Sequence, residues 1–156
     1  MKIRKVAVNA RRRAFEVHLA SRVLLFPFVR AVPAPSVEDP VAACRIDPEI
    51  AREGFTYQLA SGLFGTVHVE QVLDYNQDPA YLRDALLYRL TVEAQQRLRA
   101  SGLARREVAR RLGTSQAQLY RLLDQTNLRK SIDHVLALLG VLHCDVDFVI
   151  KERGAA

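Results

Sequence analysis

At 156 residues the chain has room for one large domain or two small ones. Its net charge of +6 points to an acidic partner such as nucleic acid, and two cysteines are too few for a disulfide-stapled scaffold. Met1 to Val8 holds no long apolar run, so neither a secretory leader nor a membrane span is expected.

The first half alternates apolar and polar residues, the period of half-buried strands. Val6 and Val8 begin the pattern, followed by Phe15, Val17 and Leu19, then Leu24, Phe26 and Phe28. Asn9 to Arg13 read as a turn with three consecutive arginines, and Ser21 as the break of a hairpin. Pro33, Pro35 and Pro40 make Val32 to Pro40 a loop, and strand-like sequence resumes at Val41. Ser61-Gly62 and Gly65 mark a second hairpin between Phe55 to Ala60 and Thr66 to Val69. These signals predict a small β-rich domain over residues 1–76, for dimerisation or sensing.

Helical periodicity takes over after Asp74. Asp78-Pro79 starts a helix with an acidic N-cap and a proline at the first helical position. That helix is predicted over Pro79 to Ala100, stopping at Ser101-Gly102. Its stripe of Leu82, Leu86, Leu87, Leu90, Ala94 and Leu98 is long for one small bundle, so it can also meet the first domain or a second protomer. Packing within the chain is enough to explain it.

Leu103 to Leu122, LARREVARRLGTSQAQLYRL, has the spacing of a helix-turn-helix. A first helix over Ala104 to Leu112 places small Ala109 where a second helix crosses, and Gly113 supplies a turn with positive φ. Ser115 caps a second helix, with Gln118 placed to complete a capping box. Leu119 and Leu122 point back at Val108 and Leu112, which leaves Gln116, Ala117, Tyr120 and Arg121 facing outward as base-reading candidates. A Gln116 amide suits an adenine edge and Arg121 a guanine edge or a phosphate, while the Tyr120 ring either packs or reaches a phosphate. Arg105, Arg106, Arg110 and Arg111 share the other side of the first helix, as phosphate contacts or a solvated face. Between Ser101 and Lys130 seven basic residues stand against two acidic ones, nearly the whole excess of the chain. Asn127, Arg129 and Lys130 then lead to Ser131, the N-cap of a further helix carrying Ile132, Val135, Leu136, Leu138 and Leu139. Together with Arg105, Arg106 and Ser115, these four are the candidate phosphate contacts. The terminal CDVDFVIKER, with Val146, Phe148 and Ile150 alternating, predicts a last strand.

The stretch LARREVARRLGTSQAQLYRLLD followed by RKSIDHVLALLGVL resembles the lambda-repressor-like, or Xre-type, family of bacterial and phage DNA-binding domains, over roughly Tyr81 to Leu142. Ala109, Gly113, Thr114-Ser115-Gln116 and Leu119 fall on that family's pattern. Ala104 departs from it, since many members place Ser or Thr there, and the missing cap costs about 1 kcal/mol. The resemblance implies a small helical bundle in which the helix after the recognition helix helps grip the DNA backbone. The GFTY and TVHV segments of the first half resemble a small uncharacterised bacterial domain found in front of Xre-like helices, which implies two domains and no activity. The fold class expected is therefore α+β: a β-rich domain over 1–76, then an all-α lambda-repressor-like helix-turn-helix domain over 77–156 with a C-terminal strand.

Nothing assembles a catalytic centre. His18, His68, His134 and His143 are scattered, without metal-ligand spacing. Phosphate-loop and G-x-S-x-G signatures are missing, and Cys44 and Cys144 read as buried reduced thiols. His68, alternating with Val67 and Val69, is either a surface histidine or a ligand contact. No cofactor, metal or catalysis is expected. The reading is a cytoplasmic, nucleoid-associated regulator that binds double-stranded DNA as a homodimer. Its rival is an antitoxin-type interaction protein whose first domain binds a protein partner while the helices regulate its own promoter. A third reading makes the first domain an enzyme and the helices its targeting device.

Overall fold

Six strands and five helices follow one another along residues 1–152, the part of the chain that the computed structural model describes. The fold is α+β, with two three-stranded antiparallel sheets and five helices. Internal contacts divide the chain into two units, Met1–Leu82 and a second from Arg83. The division lies inside a helix rather than at residue 76, where the composition changes.

In the first unit β1 (Lys5–Asn9), β2 (Ala14–His18) and β3 (Val23–Pro27) form one meander, with Phe15 paired to Val8 on one side and Phe26 on the other. β4 (Val41–Ile46), β5 (Gly54–Leu59) and β6 (Phe64–His68) form the second. The alternation read from the sequence is the burial pattern of the two central strands. Phe15 and Val17 of β2, and Phe55, Tyr57 and Leu59 of β5, all point into one core. Phe15 joins the two sheets, its ring centroid 4.9 Å from Phe55 and 5.0 Å from Tyr57. Phe28 falls outside β3, in a single 3-10 turn over Phe28–Arg30, yet still packs its ring edge-on against Phe15.

Gly65 marks no turn. It lies within β6 directly opposite Tyr57, and a Cβ there would collide with the Tyr57 ring. The glycine makes room for an aromatic lying across the neighbouring strand. The Tyr57 hydroxyl then donates to the Pro33 carbonyl at 2.6 Å, which ties down the proline loop. Burial pushes that phenol up to about 12.

Helix α1 (Val69–Tyr75) corrects the sequence reading, which continued a strand to Val69 and placed no helix here. Val69, Val72 and Leu73 recur at helical spacing and are buried in the first core. The Gln71 side chain accepts a bond from the His68 N–H at 2.8 Å, which fixes the strand-to-helix corner. His68 itself is exposed.

Helix α2 (Pro79–Ser101) starts as its sequence demands, with the Asp78 Oδ1 accepting from the Tyr81 N–H at 3.0 Å. Asp78 is buried and ion-paired to Arg22. Further along, Leu87, Thr91, Ala94 and Leu98 are buried, whereas Leu86 is exposed. The buried Thr91 hydroxyl donates to the Leu87 carbonyl at 2.6 Å, so no polar group is stranded. α3 (Arg105–Leu112), α4 (Gln116–Leu123) and α5 (Ile132–Val141) complete the second unit. Its core gathers Leu87, Ala94, Val108, Leu119, Val135 and Leu138, among others.

The expected C-terminal strand does not form. Residues Cys144 to Glu152 carry no strand, and Val146, Phe148, Val149 and Ile150 are exposed, Ile150 to 96%. An alternating pattern specifies a strand only if a neighbouring strand is there to receive its backbone bonds. Cys44 and Cys144 are both free and half-buried, and burial pushes the Cys44 thiol up to about 12. No helix among the described residues is long and apolar enough to cross a membrane.

Candidate nucleic-acid interface

The turn between α3 and α4 is built by backbone geometry. Gly113 closes α3 at φ 72° and ψ 31°, in the left-handed region that penalises a Cβ. The Thr114 N–H donates to the Ala109 carbonyl at 3.0 Å and the Gly113 N–H to the Arg110 carbonyl at 3.1 Å. This pair of bonds is a Schellman motif, which both ends α3 and aims the chain into α4. Ala104 occupies the N-cap of α3 and makes no capping bond, as its side chain requires.

Ser115 caps α4, its Oγ accepting from the Gln118 N–H at 3.2 Å. Only this half of the capping box is formed among the described residues, because the Gln118 side chain does not return a bond to Ser115. Leu119, Leu122 and Leu123 are buried, and Val108 and Ala109 of α3 lie in the same core. Gln116, Ala117, Gln118, Tyr120 and Arg121 are exposed along α4. The four base-reading candidates therefore share one short exposed helix. Arg105 lies over the Tyr120 ring, its Cζ 5.0 Å from the centroid, and so couples the start of α3 to the outer side of α4.

The far end of α4 has no glycine to close it, and Asp124 follows with φ −75° and ψ 109°. Its last carbonyls are taken by side chains instead. Asn127 Nδ2 donates to the Arg121 carbonyl at 3.3 Å and Gln95 Nε2 to that of Leu123 at 2.7 Å. Lys130 Nζ donates to the carbonyls of Leu122 and Asp124 at 2.7 and 2.6 Å. Amide and amine donors at the negative end of the helix satisfy orphan carbonyls and favour the dipole.

Two of the expected phosphate contacts are engaged within the protein. Lys130 is 8% exposed and both of its bonds are internal, so it is a helix cap and not a free cation. Burial pulls its pKa below the ordinary lysine value, with the Asp124 carboxylate acting in the opposite sense. Asn127 spends both ends of its amide locally, since its Oδ1 accepts from the Arg129 N–H at 3.2 Å. Arg129 is exposed. Ser131 is the N-cap of α5 by conformation, but it makes no capping bond to the backbone. Hydrogen bonding from Ser131 holds the Asp133 carboxyl below its ordinary value, which keeps a negative charge in the first turn of α5. A phosphate there would meet that charge, which weakens the expected clamp.

On α3, Arg105 and Arg106 are exposed, whereas Arg110 and Arg111 are held by one carboxylate. Glu107 accepts from Arg110 Nη2 at 2.6 Å and from Arg111 Nε at 2.9 Å. These bonds take the Glu107 carboxyl down from 4.5 to about 2. With the folded value depressed, the interaction is complete above pH 4.5 and is lost as the pH falls through about 2. At neutral pH the two guanidiniums are therefore paired with the Glu107 carboxylate, while both side chains stay exposed. Of the basic residues between Ser101 and Lys130, Arg105, Arg106, Arg121 and Arg129 remain exposed without an acidic partner among the described residues.

Sequence reasoning missed the capping trio Gln95, Asn127 and Lys130. The signal it offered was negative: α4 ends at Leu123-Asp124-Gln125 with no Gly or Asn to turn the chain, so its carbonyls had to be met from elsewhere. No protein family, curated protein or solved structure matches this chain.

Proposed function

We propose that the chain binds duplex DNA with sequence specificity through α4, acting as a lambda-repressor-like transcription regulator in a dimer. The observation that carries this reading is the α4 helix itself. It is fixed at its start by the Gly113 turn and the Ser115 cap, held by side chains on its last carbonyls, and exposed along Gln116, Ala117, Tyr120 and Arg121. A short helix of this kind fits the major groove with its first turn towards the base edges. Arg105, Arg106 and Arg129 supply phosphate contacts on either side. Two copies are part of the reading because one such helix spans too few base pairs for a specific site.

Separate Gln116→Ala and Arg121→Ala variants test it against an operator selected from random duplexes. Each is expected to cost about 1–3 kcal/mol of discrimination at particular base pairs and to leave the folding midpoint unchanged. Unaltered affinity and sequence preference in both variants would remove α4 as the reading element. A Glu107→Gln variant is expected to release Arg110 and Arg111. The plot of log affinity against log salt should then steepen by about 1–2, one counterion step for each new phosphate contact. An unchanged slope would place both arginines away from DNA.

The antitoxin-type reading has its own support in Leu63 and Phe64 at the β5–β6 hairpin, 57% and 63% exposed. Co-purification of a small toxic protein, lost on Phe64→Ser, would favour it.

A further inference from the structure

The segment Asp145–Lys151 presents strand chemistry with no strand beside it. Its apolar residues Val146, Phe148 and Ile150 fall on one face of an extended chain. All three are exposed, as is Val149 between them. Among the described residues no main-chain group from Asp145 to Glu152 bonds another main-chain group. The Phe148 N–H instead donates to the neighbouring Asp147 Oδ1 at 2.8 Å. Such a segment holds a row of free backbone donors and acceptors beside an apolar surface.

The charges choose the occupant. Aspartates stand at 145 and 147, ahead of the apolar run, and Lys151 stands behind it. Two copies laid antiparallel and centred on Phe148 set Phe148 against Phe148, Val146 against Ile150 and Asp145 against Lys151. Each opposite-charge pair occurs twice, once on either side of the two-fold axis. A parallel, in-register pairing would set Asp145 on Asp145 and Lys151 on Lys151, which like-charge repulsion opposes. Antiparallel pairing of identical segments is also the isologous arrangement that closes a dimer.

We infer that Asp145–Lys151 is the dimerisation strand of this protein, which pairs antiparallel with the same segment of a second copy. Its role on DNA rests on the two-copy reading above, but the association itself is measured without DNA. Sedimentation equilibrium of the full chain is expected to give a reversible dimer. Phe148→Asp should weaken it about 100-fold, by placing like charges on the two-fold axis and removing the central apolar pair. Asp145→Lys and Lys151→Asp should each weaken it about tenfold, and the double variant should restore wild-type association. Rescue by the double variant is specific to this register, because a shift of one residue in both strands would bring Asp147 opposite Lys151 instead. A monomeric wild-type chain at all concentrations would overturn the inference. So would a dimer that none of these substitutions weakens, which would place the interface elsewhere, and so would single-variant losses that the double variant fails to reverse. Full dimerisation with no operator binding would leave the strand in place and contradict only the DNA reading.

Discussion

Replacing Leu119 by Ala is expected to destabilise the helical unit by about 2–5 kcal/mol and, with it, to abolish the proposed operator binding. Leu119 is 1% exposed and lies in the core that also contains Val108, Ala109 and Val135. It is the first buried residue of α4, four positions after the Ser115 cap. Truncation leaves a cavity between short helices that have little stability of their own, since an eight-residue helix is held by packing more than by propensity. Urea unfolding followed by helical circular dichroism gives the stability change, with binding measured in parallel. A loss below about 1 kcal/mol would show that α4 is not seated by this side chain.

Lys130→Met is expected to lower the stability of the same unit by about 2–4 kcal/mol. The methionine keeps most of the apolar stem and removes the amine, so the carbonyls of Leu122 and Asp124 lose their donor. The sign separates two roles for this residue. Replacing a phosphate-binding lysine would weaken DNA binding and reduce its salt dependence with little change in folding. Replacing a capping lysine lowers the unfolding midpoint and affects binding through the helix it held. Lys130→Arg distinguishes them further, because a guanidinium retains phosphate affinity but does not fit the buried position of an amine that is 8% exposed. A stable Lys130→Met variant with reduced DNA affinity would restore the surface role.

The α3–α4 turn is legible in the amino-acid sequence because its signals are local. Gly113 and Ser115 act through bonds to residues at most five positions away, so their residue types carry the information directly. The six strands are legible for a similar reason, because alternation and turn residues are properties of adjacent positions. The opposite holds for Lys130, whose partner Leu122 lies eight positions back, and for Gln95, which reaches 28 positions to Leu123. A basic residue in a loop looks the same in sequence whether it caps a helix or meets a phosphate. Gly65 likewise reads as a turn until the strand register sets it opposite Tyr57. Val69 ended a strand pattern and began a helical one in the same residues, and the tertiary core decided for α1. At the C-terminus the alternation of Val146, Phe148 and Ile150 is real, but its expected strand lacks a partner in the single chain.

Sequence-specific binding of duplex DNA through α4 is the central functional proposal, and selection from a random duplex pool by the full chain at about 0.15 M salt tests it most directly. The predicted result is enrichment of two related half-sites in inverted orientation, with the preference at one position in each half-site relaxed when Gln116 is replaced by Ala. Recovery of an unenriched pool, or of the same preference from the wild-type chain and from Gln116→Ala and Arg121→Ala variants, would contradict it.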